Sequence, residues 1–195
     1  VKDLLESYKI ENSTDFGCDN KFKKNGKYYS PYYLELCNKL DFINTHCDLK
    51  KNKTYCEIGG GFGANIHLIQ QNFINIKKFL LIDTFPTIYV ATKYLEKFYG
   101  KSVISYTQLV NSKKVSFSKN NDLEIIVMPS WSIDKIDVEI DHFHNGDSFS
   151  HLKIDEIKKY LNFLKKNKAK SFSINDQDQK NYKITNPYEY IKYFN

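Results

Sequence analysis

The chain has 195 residues, of which 41% are hydrophobic and 15% aromatic, so it is long enough to bury one core and too apolar for wholesale disorder. Its formal net charge is +6, and all 29 basic residues are lysines. Because no arginine offers bidentate contacts to phosphate or guanine, and the lysines are spread along the chain, we expect a solvated lysine surface and no nucleic-acid partner.

Targeting signals and metal motifs do not stand out in the sequence. No signal peptide opens the chain, and no apolar run approaches the roughly 20 residues of a membrane-spanning helix. We therefore expect a cytoplasmic protein with no membrane span. The cysteines form no CxxC pair and no zinc-ligand spacing with histidine, so we expect reduced thiols and name no metal site; they are Cys18, Cys37, Cys47 and Cys56.

The first 50 residues read as a helical and loop extension. Residues 11–30 are rich in loop formers, and "SPYYLELCNKLDFINTHC" then predicts a helix with Ser30 as its cap and Pro31 as its first residue. We assign residues 51–195 to a separate α/β domain.

Within residues 51–195, strand patterns alternate with helix patterns. The predicted helices end near Asn72, run from Pro86 to Gly100, and begin again near Ser150. The predicted strands are "TYCEI", "KKFLLID", "LEIIVMPSW", "DHFHN" and "AKSFSIN". This alternation predicts a doubly wound α/β fold with a mostly parallel sheet.

A glycine-rich turn follows the first of these strands. Gly59, Gly61 and Ala64 satisfy the pattern G-x-G-x-x-A, which lets backbone amides approach a nucleotide-type cofactor closely. Asp83 ends the second strand, 20 residues after Gly63 (83 − 63), where a carboxylate binds ribose hydroxyls. The alternative is structural: the glycines form a tight turn and Asp83 caps the helix at Pro86.

Glu57 lies in the strand just before this turn. A buried carboxylate is costly, and a dinucleotide cofactor presents no cation there to hold. S-adenosylmethionine carries an ammonium group and a sulfonium, so Glu57 favours a methyl donor over NAD. The alternative is a carboxylate paired with a nearby lysine such as Lys53.

These motifs resemble the class I S-adenosylmethionine-dependent methyltransferases, through "EIGGGFG" and the "LLID" that follows it. More narrowly, the ordered set "EIGGGFGANIHLI", "LIDTFPTIYVATKYL", "VMPSW" and "DHFHNGDSFSHL" is similar to the sugar O-methyltransferases of bacterial surface-glycan loci. The resemblance covers about residues 28 to 174.

The resemblance implies a Rossmann-like fold that binds S-adenosylmethionine at the carboxyl ends of its strands. It places the methionine end beside the residues around the turn, the ribose beside Asp83, and the adenine beside the stretch after the third strand. The residues so implied are Glu57, Gly59, Gly61, Gly63, Asp83, Met128, Ser130 and Trp131.

The chain departs from this family in two places. His151 stands where the family usually carries a Glu, and no pattern typical of the last strands of a seven-stranded methyltransferase sheet follows Asn175. The sequence therefore predicts a sheet without those strands and a truncated carboxyl end.

Methylation of a sugar hydroxyl benefits from a general base, because the hydroxyl is a very weak acid. The segment "DHFHNGDSFSH" offers candidates, with His142 and His144 on one strand face and Phe143 on the other. We expect His144 or His151 to be the base and Asn145 and Asp147 to orient the acceptor, although a strand histidine is often only a hydrogen-bonded core residue.

The sequence thus favours an O-methyltransferase that acts on a sugar, nucleotide-sugar or glycan acceptor. Two alternatives remain: an NAD(P)-dependent oxidoreductase, and a non-catalytic binding subunit with a methyltransferase fold, which the missing late strands and His151 favour.

Overall fold

The structure is organised around a six-stranded sheet whose strand pairs are all parallel. The computed structural model describes residues 2–10, 20–175 and 193. A short antiparallel hairpin precedes the sheet, formed by β1 (Phe22–Lys24) and β2 (Lys27–Tyr29). The strands of the sheet are β3 (Thr54–Ile58), β4 (Lys78–Asp83), β5 (Val103–Ile104), β6 (Glu124–Pro129), β7 (His142–Gly146) and β8 (Ser171–Asn175).

Helices cover both faces of this sheet. They are α1 (Lys2–Ser7), α2 (Pro31–His46), α3 (Ala64–Asn72), α4 (Thr87–Tyr99), α5 (Tyr106–Leu109) and α6 (Ile154–Lys166). One core cluster joins α2, α3 and α4 to the sheet face that carries Tyr55 and Leu81. A second cluster joins α6 to the opposite face, which carries Cys56 and Phe143. The predicted doubly wound α/β fold is therefore confirmed.

The strand order determines where a ligand can bind. Across the sheet the order is β5-β6-β4-β3-β7-β8, so the chain moves outward from β3 in one direction and then returns to build β7 and β8 on the other side. This reversal between β3 and β7 is a topological switch point, and ligands of such sheets bind beyond the carboxyl ends of the strands there. The glycine turn, Asp83 and the end of β7 all lie at this edge.

The helix α2 belongs to the same core as the sheet, although it lies in the predicted N-terminal extension. The Ser30 hydroxyl accepts a hydrogen bond from the Tyr33 backbone N–H at 3.2 Å, which caps the helix as predicted. The residues at helical spacing face the sheet and are buried: Tyr33, Leu36, Leu40 and Ile43. The extension thus contributes a large apolar face to the domain.

Three features differ from the sequence expectation. The hairpin of β1 and β2 falls within residues expected to be loop, and β5 is a two-residue edge strand too short for a period-2 pattern to predict. The helix expected near Ser150 begins at Ile154, because residues Phe149–His151 form a 3-10 turn that buries Phe149.

The expected absence of further strands after Asn175 concerns residues that, apart from Tyr193, lie outside the described part of the chain. Cys18 also lies outside it. In the part of the chain that the structure describes, no helix is long and apolar enough to cross a membrane.

A buried ion pair lies at the amino end of β4 and β6, opposite the switch-point edge. The Lys78 ammonium donates to Glu124 at 2.9 Å and also to Ser118 and Asn120 at 3.0 Å. Burial opposes ionisation of Glu124, but hydrogen bonds from Ser118 and Lys78 outweigh it and lower the pKa of this carboxyl. The Lys78 ammonium donates three hydrogen bonds and Glu124 Oε2 accepts three, so we assign the pair a structural role.

We expect Lys78→Met to lower the free energy of unfolding by about 3 kcal/mol, because it leaves the Glu124 carboxylate buried without its cation. The measurement is urea denaturation at pH 7. Lys93→Met, which breaks the exposed Lys93–Glu96 pair, is the control and should cost less than about 1 kcal/mol. Equal effects of the two variants would contradict a structural role for the buried pair.

Candidate functional site

The glycine turn after β3 combines close packing with an open position. Gly59 has φ of 76°, and a Cβ there would lie 2.4 Å from the Cβ of Ser148, so no other residue fits without displacing the turn after β7. Gly61 has φ of 56°, and no atom lies within 4 Å of its Cβ position. At Gly63 a Cβ would lie 3.0 Å from the Leu95 side chain, where the turn enters α3. The turn therefore leaves its open side at Gly61.

Asp83 closes this turn from the end of β4. One carboxylate oxygen accepts the Gly61 N–H at 2.9 Å, and the other accepts the Thr84 N–H at 2.6 Å. Burial raises the pKa of Asp83, although these backbone bonds act in the opposite direction. Each carboxylate oxygen retains acceptor capacity, so Asp83 can support the turn and still accept hydrogen bonds from a ligand hydroxyl.

Glu57 is buried on the sheet face covered by α2 and α3, with 3% of its surface exposed. Its Oε1 accepts a hydrogen bond from the Asn65 side-chain amide at 2.9 Å, but Oε2 has no partner among the described residues. Burial raises the pKa of Glu57 to about 7, although the bond from Asn65 opposes the shift. Lys53 is exposed and lies just before the amino end of β3, away from Glu57. The described residues therefore do not support the alternative of a Lys53–Glu57 pair.

Asp147 follows β7 and adopts φ of 59°, a left-handed conformation that few non-glycine residues take. Its Oδ2 forms an ion pair with Lys39 of α2 at 2.6 Å, and Lys39 also pairs with Glu35 at 3.0 Å. Its Oδ1 is buried with no partner among the described residues. The charge of Lys39 also favours the ionised form of Glu57, so the two carboxylates share one cation.

Unpaired buried acceptors therefore collect around this end of the sheet. Within the described residues three such atoms occur: Glu57 Oε2, Asn65 Oδ1 and Asp147 Oδ1. An unpaired buried acceptor costs about 1–3 kcal/mol, so three together indicate a missing donor. Two of the three belong to carboxylates, and a cationic N–H donor satisfies such a set best.

A groove lies between the segment after β6 and helix α6, with a cavity volume of about 680 Å³. Ser130, Trp131 and Tyr160 line it. Asp83 pairs in register with Pro129, the residue before Ser130, so one end of the groove lies close to that carboxylate. Trp131 is 60% exposed. Met128, in contrast, is fully buried against α6, so the side chain of this predicted residue does not line the groove.

The two histidines of β7 lie on the sheet face shared with Glu57, and Phe143 lies on the other face, as the alternation predicted. His142 contacts the hydroxyls of Ser171 at 2.8 Å and Ser173 at 2.9 Å. His144 contacts Ser173 through Nδ1 at 2.8 Å. Burial lowers the pKa of His142 to about 4 and that of His144 to about 3, so both rings are neutral at pH 7.

Asn145 and His151 occupy very different positions. Asn145 is fully buried, donates to the Ile58 carbonyl at 2.8 Å and the Ser148 hydroxyl at 2.6 Å, and accepts the Phe149 N–H at 3.1 Å. Its side chain holds the turn after β7 against the end of β3, so this placement does not favour a contact with an acceptor. His151 is exposed in the 3-10 turn before α6.

Sequence reasoning missed Lys39, Asn65 and the serines of β8. Asn65 follows the turn by two residues, and Lys39 stands 108 residues before its partner Asp147 (147 − 39). No local pattern marks either one, because their roles depend on how α2 and α3 pack. The sequence carried one signal for the serines: Ser171 and Ser173 alternate along β8 with the same spacing as His142 and His144, which they pair with across the two strands.

No group of three histidine, cysteine or acidic residues that could hold a metal ion occurs among residues 2–10 and 20–175.

No protein-family model and no curated protein matches the chain. Similar solved structures include the mitomycin 7-O-methyltransferase MmcR, at 13% identity and a TM-score of 0.41 over 68% of this chain. M. capricolum TrmK in complex with S-adenosyl-homocysteine shares 18% identity, with a TM-score of 0.39 over 69%. The apo mycolic acid cyclopropane synthase CmaA1 shares 14%, with a TM-score of 0.41 over 85%. The chain spans 35%, 52% and 51% of these proteins, respectively.

The buried carboxyl of Glu57 predicts a pH-dependent cost in stability. An unfolded Glu ionises near pH 4.5 and the folded one near pH 7, so the wild type loses stability as pH rises between these values. We expect Glu57→Gln to gain on the order of 3 kcal/mol relative to wild type between pH 4.5 and pH 8. Urea denaturation across this range measures the difference, and parallel pH profiles would contradict the raised pKa.

Proposed function

We propose that this chain is an S-adenosylmethionine-dependent O-methyltransferase that binds the methyl donor beyond the carboxyl ends of β3, β4 and β6. The observation that carries the proposal is the set of unpaired buried acceptors beside the glycine turn, which includes the carboxylates Glu57 and Asp147. The methionine end of this cofactor carries an ammonium group, and its sulfonium is also positive, so it would supply the missing cationic donor.

The remainder of the site fits the same cofactor. Gly61 faces open space beside Asp83, whose carboxylate oxygens retain acceptor capacity for ribose hydroxyls. Asp83 lies close to one end of the groove lined by Ser130 and Trp131, which offers an aromatic surface for adenine. Of the residues implied by family resemblance, Met128 would act only through its backbone, because its side chain is buried.

We propose His144 rather than His151 as the residue that takes the acceptor proton. When bound, S-adenosylmethionine supplies a methyl group activated by the sulfonium. The acceptor oxygen would receive that methyl group, with S-adenosylhomocysteine as the leaving group, and Nε2 of neutral His144 would take the hydroxyl proton. Because burial lowers the pKa of His144, its ring is neutral at pH 7 and can accept this proton as the carbon–oxygen bond forms.

We propose a sugar, nucleotide-sugar or glycan hydroxyl as the acceptor. The support is the family resemblance of the ordered motifs, together with a polar rim of neutral histidine, amide and hydroxyl groups suited to a polyhydroxyl compound. An absence of arginine in the sequence disfavours a nucleic-acid acceptor.

Two other functions are separable from this one. An NAD(P)-dependent oxidoreductase would place the anionic pyrophosphate of its cofactor at the glycine turn, next to an ionisable Glu57, and leave the unpaired oxygen of Glu57 without a donor. A non-catalytic binding subunit would bind the methyl donor and turn over no acceptor.

We expect S-adenosylhomocysteine, which keeps the ammonium group, to bind in calorimetry and to bind about tenfold more tightly at pH 8 than at pH 6. The reason is that Glu57, with a pKa of about 7, must ionise to hold the cation. Glu57→Gln should weaken binding and remove most of this pH dependence, and Asp83→Asn should weaken binding at both pH values.

Glu96→Gln, the same chemical change on the partly exposed Glu96 of α4, is the matched control and should leave binding unchanged. Binding of NAD in place of S-adenosylhomocysteine, or unchanged affinity in Glu57→Gln, would refute the proposed donor site.

The two candidate bases are distinguished by methyl transfer from S-adenosylmethionine to a panel of nucleoside-diphosphate sugars. We expect His144→Gln to lower kcat at least a hundredfold, as loss of a general base does. His151→Gln should retain turnover within a few-fold. Transfer that survives in His144→Gln and disappears in His151→Gln would reverse the assignment, and donor binding without transfer to any acceptor would favour the binding subunit.

A further inference from the structure

The histidines of β7 and the serines of β8 form a continuous chain of hydrogen bonds. The Ser171 hydroxyl lies 2.9 Å from the Asp141 carbonyl and 2.8 Å from His142 Nδ1. The Ser173 hydroxyl lies between the rings, 2.9 Å from His142 Nε2 and 2.8 Å from His144 Nδ1. Each hydroxyl carries one proton, so the direction of every bond in the chain is coupled to the next.

The direction is set at the Asp141 end. The Asp141 carbonyl accepts the Ser171 N–H at 3.1 Å and, as its second bond, the Ser171 hydroxyl proton, so the Ser171 oxygen accepts from His142 Nδ1–H. A neutral imidazole has one N–H, which leaves His142 Nε2 as an acceptor for the Ser173 proton. Ser173 then accepts from His144 Nδ1–H, and the second nitrogen of His144, Nε2, carries a lone pair and no proton.

His144 Nε2 lies next to Gly146, the last residue of β7. A Cβ at Gly146 would lie 3.1 Å from His144 Nε2, so the absence of a side chain at Gly146 leaves that nitrogen uncovered on the side toward the carboxyl end of β7. The side-chain hydrogen bond of His144 to Ser173 uses Nδ1, which leaves Nε2 for a ligand.

His144 also lines a cavity of about 310 Å³ between α2 and the ends of β7 and β8. Asn38, Phe42, Ser173 and Asn175 are among its other walls. Lys39 borders it too, but its ammonium already forms ion pairs with Glu35 and Asp147, so the cavity offers hydrogen-bonding and aromatic surfaces and no free cation for an anionic ligand. The volume is at the lower end of the range for small-molecule sites.

We propose that this cavity binds an uncharged sugar ring of hexose size, one of whose hydroxyls donates to His144 Nε2, and that Ser171 and Ser173 are positioning residues that hold this nitrogen unprotonated. This inference rests on the proposed function only in taking that ring to be the part of the acceptor that is methylated. The serines act through the histidines and need not touch the ligand.

The tautomers are measured directly by ¹⁵N NMR of the imidazole nitrogens at pH 7, with the five histidines assigned from single His→Gln variants. We expect a protonated Nδ1 and an unprotonated Nε2 for His144. In Ser173→Ala the two rings lose their shared partner, so His144 should show a mixture of tautomers, and Ser173→Thr, which keeps the hydroxyl, should restore the wild-type pattern. A proton on Nε2 in the wild type, or an unchanged tautomer in Ser173→Ala, would overturn the positioning role.

The cavity is tested by titrating glucose, galactose and mannose at high millimolar concentration while following the His144 Nε2 resonance. We expect at least one hexose to shift it in the wild type. Gly146→Ala should keep the tautomer and weaken this response at least tenfold, because the added methyl group lies against Nε2. Three hexoses without effect on the resonance would overturn the ligand assignment.

The NMR results are independent of the donor site, because calorimetry with S-adenosylhomocysteine measures binding at that site alone. Donor binding without a hexose response would refute this inference and leave the proposed donor site intact. A hexose response without donor binding would support this inference and refute the proposed donor site.

Discussion

The buried, half-paired carboxylate of Glu57 is the constraint around which this edge of the sheet is arranged. It lies near the end of β3, just before the glycine turn, and one of its oxygens has no donor among the described residues. Lys39 and Asn65 reduce the cost of that burial, and both come from helices that pack over the same sheet face. The protein can therefore fold with this carboxylate buried. A cation that donates to the unpaired oxygen would gain binding free energy, because it removes the cost of that unpaired acceptor.

Buried charged groups are hydrogen-bonded differently at the two ends of the sheet. At the amino end, Lys78 and Glu124 satisfy each other and two polar neighbours. At the carboxyl end, Glu57 and Asp147 share one lysine and keep unpaired oxygens. The first arrangement is typical of a structural ion pair, and the second is typical of a binding site whose ligand completes the hydrogen bonding.

Much of the fold followed from local pattern. β3, β4 and β6 were predictable from their apolar runs, and the glycine turn from its required backbone conformation. β7 was a weaker prediction because it is so polar, and the capped start of α2 was visible in Ser30 and Pro31. The role of Asn145 was not predictable, since its bonds join β7 to the Ile58 carbonyl, 87 residues earlier. The same holds for Lys39 and Asp147. Alternation showed which face His144 occupies, but only the pairing of β7 with β8 shows which serine binds its Nδ1.

The ion pair between Lys39 and Asp147 has a consequence for how this protein can be divided. A boundary drawn at residue 50 from the alternation of strands and helices passes between these two residues, although they belong to one charge cluster. A fragment that starts at residue 51 would keep every glycine of the turn and both carboxylates, but it would lack the cation that balances them and the apolar face of α2 that covers them. The minimal unit that preserves the site is therefore larger than the segment with the recognisable motifs, and it includes α2.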